Sequence, residues 1–201
     1  MTGLLFDIET PSCPDIEGLS FVPDFINKDT ERALIDEIDQ SPWLYDLKRR
    51  VQHYGYRYDY KARTVTKDSY IGALPKWVLP IAQQLCAQGI FSNMPDQLIV
   101  NEYQSGQGIS AHIDCVPCFG ETIASLTLNA GAMMQFQNTQ AKNCKEALYL
   151  PPCSLVVLSG AARYNWTHAI PARKSDKVDG LKIERERRIS LTFRNMIFDR
   201  E

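Results

Sequence analysis

The sequence predicts an α+β fold that is mainly β, with N-terminal helices packed on one sheet of an antiparallel barrel or sandwich. From about residue 97 onward, short β-prone runs follow one another and are separated by turns rich in glycine, proline and asparagine, a pattern typical of such folds. The first third instead has stretches with helical spacing of apolar residues. A length of 201 residues favours a single domain, with residues 1–96 as an N-terminal extension and 97–198 as the barrel.

The individual elements follow from local patterns. A short strand over 18–25 precedes a helix over about 28–40, which Asn27 or Asp29 can cap. A second helix over about 75–88 begins at Pro75 and ends before Gly89. The main β-prone runs are 98–100, 123–128, 133–136, 147–150, 155–158 and 189–193. The charged segment 174–186 is predicted to be a loop.

Composition indicates an ordinary globular protein. Hydrophobic residues make up 44% and charged residues 23%, and the formal net charge is -2. The chain as a whole is therefore not a polycation that would bind nucleic acid through its net charge. The first residues lack the basic and apolar regions of a signal peptide, and no apolar run approaches the ~20 residues that span a bilayer. A monomeric cytoplasmic protein without membrane contact is expected.

Six cysteines are present, and Cys115 and Cys118 have the CxxC spacing. This spacing is compatible with a redox pair, with half of a zinc site or with ordinary free thiols. No second CxxC completes a zinc site of four thiolates. Free thiols are the expectation, and a disulfide framework is not expected in the cytoplasm.

The chemistry-bearing pattern begins at His112-Ile113-Asp114, with His168 on a later β-prone run. Residues two apart on a strand face the same side, so His112 and Asp114 can reach one ion. Two imidazoles and a carboxylate form the facial triad that binds iron(II) and leaves positions open for a cosubstrate and O2. An HxD tripeptide alone is weak evidence, because a lone histidine is more often a packed or surface residue.

The run 188–194 strengthens the metal interpretation. Arg188, Ser190, Thr192 and Arg194 alternate with apolar residues, so one strand face carries two guanidinium groups and two hydroxyls. That face is either solvated at a sheet edge or points into the barrel. In the barrel the arginines require anions, and 2-oxoglutarate supplies two carboxylates that a guanidinium fork can bind.

These residues together resemble the AlkB family of 2-oxoglutarate/iron dioxygenases over about residues 97–198. The matching motifs are Asn101-x-Tyr103, Gly108-x3-His112-x-Asp114, Phe119-Gly120, Ile123-x-Ser125-Leu126-x-Leu128, Leu155-x3-Ser159-Gly160-x2-Arg163, His168-x-Ile170 and Arg188-Ile189-Ser190-x-Thr192-Phe193-Arg194. The resemblance implies a double-stranded β-helix, also called a jelly-roll barrel, preceded by N-terminal helices.

The resemblance also implies roles for the site residues, with Fe(II), 2-oxoglutarate and O2 as cofactors and no catalytic residue beyond the metal ligands. The implied iron ligands are His112, Asp114 and His168. Arg188 pairs with the distal carboxylate of 2-oxoglutarate, helped by Tyr103. Arg194 and Asn101 lie nearer the metal-bound carboxylate, and Ser190 stands where many members have asparagine.

In the family, a lid before the barrel recognises nucleotides. The tyrosine-rich run 53–60 most resembles the AlkB-like domain of the tRNA wobble-uridine hydroxylases, which makes Tyr54, Tyr56 and Tyr58 candidates for stacking on a base. The alternative is a hairpin whose tyrosines pack on the core. The run 159–168 extends the resemblance, so the candidate substrate-binding residues also include Arg163 and Trp166.

The implied function is oxidative demethylation or hydroxylation of modified nucleobases in RNA, tRNA in particular, or in single-stranded DNA. Two alternatives remain open. One is an oxygenase that acts on protein side chains, and the other is a non-catalytic binding module on the same barrel.

Overall fold

The computed structural model describes residues 11–198. The helices are α1 (Lys28–Gln40), α2 (Leu79–Ala87) and the short α3 (Gly160–Tyr164). The strands are β1 (Leu19–Val22), β2 (Val51–Tyr56), β3 (Tyr70–Gly72), β4 (Gln97–Tyr103), β5 (Ile109–His112), β6 (Phe119–Leu128), β7 (Ala132–Asn138), β8 (Lys145–Leu150), β9 (Leu155–Leu158), β10 (Trp166–Ile170), β11 (Ser175–Val178), β12 (Leu181–Glu184) and β13 (Arg188–Met196). Within these residues no helix is both long enough and apolar enough to cross a bilayer.

Two antiparallel sheets form the barrel. The larger sheet has seven strands in the order β1-β9-β6-β13-β4-β2-β3, and the smaller has four in the order β5-β10-β7-β8. Apolar side chains from the facing sides of both sheets form one core cluster, which includes Ile123 and Val156 from the larger sheet and Met134 and Phe136 from the smaller. The predicted mainly β double-stranded β-helix is confirmed.

The N-terminal helices cover the outer face of the seven-stranded sheet. Leu34 and Ile38 of α1 and Leu85 of α2 are buried in a second core cluster with Leu126 and Leu191 of the sheet. Burial of such side chains contributes about 1.5–3 kcal/mol each. This cluster stabilises the outer face of the sheet, so the inner face is available for the site.

The helix signals in the sequence correspond to the observed ends. Asn27 caps α1, and its side-chain oxygen accepts a hydrogen bond from the backbone N–H of Thr30 at 2.8 Å. The second predicted helix begins with a 3₁₀ turn at Lys76–Val78 after Pro75 and continues as α2. Gly89 follows it with a φ of +72°, a left-handed conformation that glycine adopts without strain.

The prediction of a loop over 174–186 is wrong, because this segment contains the hairpin β11–β12. Asp179 and Gly180 both have positive φ, 49° and 83°, as a two-residue Asp-Gly hairpin turn requires. Some of the charges that suggested a loop are paired: buried Asp176 accepts hydrogen bonds from Arg185 Nε at 2.6 Å and from Arg173 Nε, just before the segment, at 2.7 Å.

The predicted boundary between an N-terminal extension and the barrel at 96/97 stays a prediction. Two strands that precede it, β1 and β2, pair with β9 and β4 of the larger sheet. The outermost residues of the predicted single domain, 1–10 and 199–201, lie outside the described residues.

Candidate metal centre and cosubstrate cavity

Three ligand-type side chains meet where the end of β5 pairs with β10. His112 ends β5 and lies opposite His168 of β10 in the strand register, with ring centroids 4.4 Å apart. One ligand atom from each of His112, His168 and Asp114 lies within 4.8 Å of the other two. Asp114 lies just beyond the end of β5, so the expectation that it shares a strand face with His112 is wrong. The turn after the strand nevertheless brings its carboxylate to the same point.

The protonation states of these ligands suit a cation. Burial opposes ionisation of Asp114, but Arg194 and the two histidines hold the pKa of its carboxyl well below the usual range. Burial lowers the pKa of His168 to about 4, so its imidazole is neutral at pH 7. His112 Nδ1 lies 2.8 Å from the Ser110 carbonyl oxygen; as a donor there it leaves Nε2 free to coordinate.

Arg194 holds the Asp114 carboxylate. Its Nε and Nη2 each lie 3.2 Å from Asp114 Oδ2, and its Nη1 donates to Gln97 Oε1 at 3.3 Å. Asp114 Oδ1 lies 3.5 Å from His112 Nε2. The sequence resemblance placed Arg194 near a cosubstrate carboxylate, whereas the structure directs its guanidinium group to the aspartate.

A second cationic group is buried in the same barrel. Arg188 is 3% exposed, and its Nη2 donates to Thr127 Oγ1 at 2.8 Å. Its Nε is one of two buried side-chain polar atoms that lack a hydrogen-bond partner among residues 11–198. Burial lowers the pKa of Arg188 to about 10, so the group is charged at pH 7. A buried cation without a carboxylate partner is costly. Binding of an anionic ligand would offset this cost, so the unpaired guanidinium suits an anion site.

A cavity of about 770 Å³ joins Arg188 to the three metal-ligand candidates. The alternation predicted for β13 is confirmed. Its four polar residues line the cavity, while Leu191 and its apolar neighbours belong to the cluster under the helices. Strand pairing places Tyr103 opposite Arg188 and Asn101 opposite Ser190, and all four line the cavity. One cavity therefore contains the three metal-ligand candidates, Arg188 and the polar side chains beside it.

The tyrosines of the run 53–60 separate into two groups. Tyr58 lines the cavity. Tyr54 instead packs edge-on against Trp77, with ring centroids 5.7 Å apart, and Tyr56 packs against Tyr70 at 5.1 Å. The packing alternative therefore describes Tyr54 and Tyr56, neither of which is among the residues that line the cavity.

Trp166 packs against the core between the two sheets and is not among the cavity-lining residues either. The lining residues that were not predicted as site residues include Arg49, Tyr60 and Arg63. Tyr60 belongs to the tyrosine run. However, β2 ends at Tyr56, so strand alternation no longer indicates which later side chains face inward.

Arg163 lies outside the cavity lining and fastens the loop after Asp114. The side chain is 2% exposed, and its guanidinium group donates to four main-chain carbonyls. The acceptors and distances are Asp114 at 2.8 Å, Cys115 at 3.3 Å, Phe119 at 3.4 Å and Gly120 at 3.4 Å. The guanidinium group of Arg163 therefore binds the protein backbone and does not line the cavity, where a substrate contact was predicted.

Replacing Arg163 with methionine is expected to lower the free energy of unfolding by at least about 3 kcal/mol, because several buried carbonyls lose their donors. Urea unfolding measures the effect. Arg32→Met, at an exposed position of α1, is the matched control and should shift stability by no more than about 0.5 kcal/mol. Equal stability of the two variants would contradict the fastening role.

The expectation of free thiols is wrong for Cys115 and Cys118, which form a disulfide. The turn after Asp114, with the Cys118 N–H donating to the Cys115 carbonyl at 3.2 Å, brings the two Cα atoms to 5.3 Å, within the range that a disulfide spans. Among the described residues Cys13, Cys86, Cys144 and Cys153 are free.

Comparison with known proteins agrees with this geometry. A family model described as the 2OG-Fe(II) oxygenase superfamily matches residues 38–194. The uncharacterized protein L905 of Acanthamoeba polyphaga mimivirus is 36% identical over 91% of this chain and 87% of its own length. An alkylated DNA repair protein ALKBH8 homolog of Arabidopsis thaliana is 41% identical over 90% of this chain and 59% of its own length.

A further relative is the mouse tRNA (carboxymethyluridine(34)-5-O)-methyltransferase ALKBH8, 37% identical over 80% of this chain. The chain spans 25% of that protein's length, so it corresponds to a part of the longer relatives.

Solved structures show the same fold. OsALKBH1 aligns with a TM-score of 0.63 at 18% identity, over 89% of this chain and 96% of that one. A Pseudomonas putida prolyl-4-hydroxylase aligns with a TM-score of 0.57 at 16% identity, over 90% and 94%. From its family match, its relatives and its fold, the chain belongs to the 2OG-Fe(II) oxygenase superfamily, within the AlkB family, and is a dioxygenase that depends on Fe(II), 2-oxoglutarate and O2.

Proposed function

We propose that this dioxygenase oxidises modified nucleobases in RNA, or in single-stranded DNA, by demethylation or hydroxylation. The observation that carries the chemistry is that His112, Asp114 and His168 share one cavity with buried Arg188, whose Nε is unpaired. The substrate class is supported by the cavity wall and by the names of the relatives.

In this proposal His112, Asp114 and His168 hold the iron. Arg188 binds the distal carboxylate of 2-oxoglutarate, beside Tyr103, whose ring centroid lies 5.5 Å from the guanidinium carbon. When bound, the iron and 2-oxoglutarate supply oxidation of a substrate C–H bond, coupled to release of succinate and CO2.

The protein positions these groups and shields them. Asn101 and Ser190 offer polar atoms along the path between the metal centre and Arg188. Apolar side chains, among them Ile99, Ile123 and Met134, complete the wall and exclude water from the reacting groups. No acid–base residue is needed, because the chemistry is that of the cofactors.

The wall formed by residues 58–63 suits a flat, anionic substrate. Tyr58 and Tyr60 line the cavity together with Arg63. Aromatic rings stack on bases regardless of sequence, and guanidinium groups bind phosphate. Single-stranded or loop nucleotides enter without the cost of unpairing. Such substrates suit a chain of net charge -2, because it has no excess of positive charge for tight binding of a duplex.

The relatives bear names that agree with this class. They include the tRNA methyltransferase and the DNA repair homolog described above, and a DNA N6-methyl adenine demethylase of Caenorhabditis elegans at 24% identity. We also propose that the protein acts as a monomer in the cytoplasm.

The test is turnover by iron-loaded protein with 2-oxoglutarate on total tRNA, on methylated single-stranded oligonucleotides and on a peptide library. Succinate release and mass spectrometry of nucleosides should show a changed base in at least one nucleic acid, and Asp114→Asn protein is the inactive control. Succinate release stimulated by peptides alone would contradict the nucleic-acid proposal and favour a protein substrate.

A further inference from the structure

The hydroxyl of Tyr60 is buried and has no partner. Among residues 11–198, Tyr60 Oη and Arg188 Nε are the two buried side-chain polar atoms that make no hydrogen bond. Both residues line the cavity. Buried hydroxyls are nearly always hydrogen-bonded, so each exception calls for a ligand or another explanation. The dicarboxylate cosubstrate accounts for Arg188 and leaves Tyr60 unexplained.

Packing holds the Tyr60 ring in place. Its centroid lies 5.6 Å from the His53 ring and 5.1 Å from the Tyr58 ring, both in edge-on geometry. Burial raises the pKa of Tyr60 to about 12, so the phenol is protonated at pH 7. The residue that lines the cavity thus carries a buried hydrogen-bond donor without a partner.

Arg49 supplies more donors beside it. Its guanidinium carbon lies 5.9 Å from the Tyr60 ring centroid and 5.7 Å from that of Tyr103. Its Nε donates to Asn101 Oδ1 at 2.9 Å. Within the described part of the chain neither Nη makes a hydrogen bond or an ion pair.

The charges of the cavity also leave Arg49 without a counter-ion. Four arginines line it. Arg194 is balanced by Asp114, and Arg188 is matched by the distal carboxylate of the cosubstrate. The other two, Arg49 and Arg63, exceed what the cofactors require. An anionic or strongly accepting group of the substrate can therefore pair with Arg49.

We propose that the Tyr60 hydroxyl and the Arg49 guanidinium form a subsite that binds an oxygen acceptor of the substrate nucleotide, either a base carbonyl or a phosphate oxygen. The guanidinium only donates, and the protonated hydroxyl can donate as well as accept, so one oxygen acceptor can bind both groups. The subsite rests on the proposed function. It lies on the wall that residues 58–63 share with β4, and it assigns to the substrate two side chains that the cosubstrate does not use.

Tyr60→Phe is the direct test, because it removes one oxygen and keeps the ring. Under nitrogen, with iron(II) and 2-oxoglutarate bound, fluorescence anisotropy of a labelled single-stranded RNA oligonucleotide should show roughly fivefold weaker binding, the effect of one hydrogen bond. The affinity for 2-oxoglutarate, measured by calorimetry, should not change. The melting temperature of the free protein should stay the same or rise, since an unpaired buried group is lost.

Tyr45→Phe is the matched control, because Tyr45 is 74% exposed and lies away from the cavity lining. Equal RNA binding by wild-type and Tyr60→Phe protein would overturn the subsite, as would weaker binding of 2-oxoglutarate in place of RNA. A wild-type protein that binds no RNA would overturn the proposed function and the subsite with it.

Two further measurements define the ligand and the pairing. If Tyr60 donates to a base carbonyl, Tyr60→Phe should not weaken binding of an oligonucleotide with an abasic site at the target position; if it donates to a phosphate, Tyr60→Phe should weaken that binding too.

Because both side chains bind the same acceptor, the effects of Arg49→Lys and Tyr60→Phe on RNA affinity should be non-additive at saturating 2-oxoglutarate. Fully additive losses would contradict a shared subsite.

Discussion

Asp114→Asn protein is expected to lose both iron(II) binding and turnover. The substitution keeps the shape of the side chain but removes the anionic ligand that Arg194 holds in place at 3.2 Å. Loss of an outer partner of a metal ligand costs about 10–100-fold in affinity, and loss of the ligand itself should cost more. Anaerobic titration with iron(II) measures the affinity, and succinate release should fall to the background of metal-free protein.

The matched control is Asp36→Asn, on the exposed face of α1, which should bind iron and turn over as the wild type does. Circular dichroism establishes that both variants fold. Wild-type iron affinity in folded Asp114→Asn protein would contradict the assignment of the metal centre.

Arg188→Lys should weaken 2-oxoglutarate binding by about 10–100-fold while iron binding persists. The lysine keeps the charge but loses the planar fork that binds a carboxylate through two hydrogen bonds, and hydrogen bonds to charged groups contribute about 1.5–3 kcal/mol each. Calorimetry on protein that contains iron, without O2, measures the dissociation constant.

A second substitution separates ligand binding from structure. Arg188→Met should leave the free energy of unfolding unchanged or raise it, because the free protein then no longer buries a guanidinium whose Nε is unpaired. Destabilisation by several kcal/mol with normal 2-oxoglutarate affinity would instead assign Arg188 a structural role. Arg32→Lys, exposed on α1, controls for the change of residue type.

The features that the sequence predicted well depend on short-range periodicity. Alternation along β13 placed both arginines on one face of the strand, and the cap at Asn27 located the start of α1. Such signals are local, since side-chain direction in a regular strand or helix repeats with a fixed period.

The features that the sequence did not predict depend on contacts between distant segments or on the ends of strands. Arg163 and Trp166 matched family motifs, but their burial depends on the loop after Asp114 and on the core. Arg49 precedes β2 and meets Asn101 only in the folded protein. Asp179-Gly180 is a typical hairpin turn sequence, but the many charges of the segment 174–186 led to the prediction of a loop in place of the hairpin.

The alternation of β13 has a consequence for how this chain can vary. One face of the strand supplies Arg188 and Arg194 to the cavity, and the other supplies Leu191 to the apolar layer beneath the helices. Deleting or inserting one residue near its middle would exchange the two faces for half its length. One guanidinium group would then enter the apolar layer, and apolar side chains would enter the cavity, so length changes here would reduce both stability and cosubstrate binding.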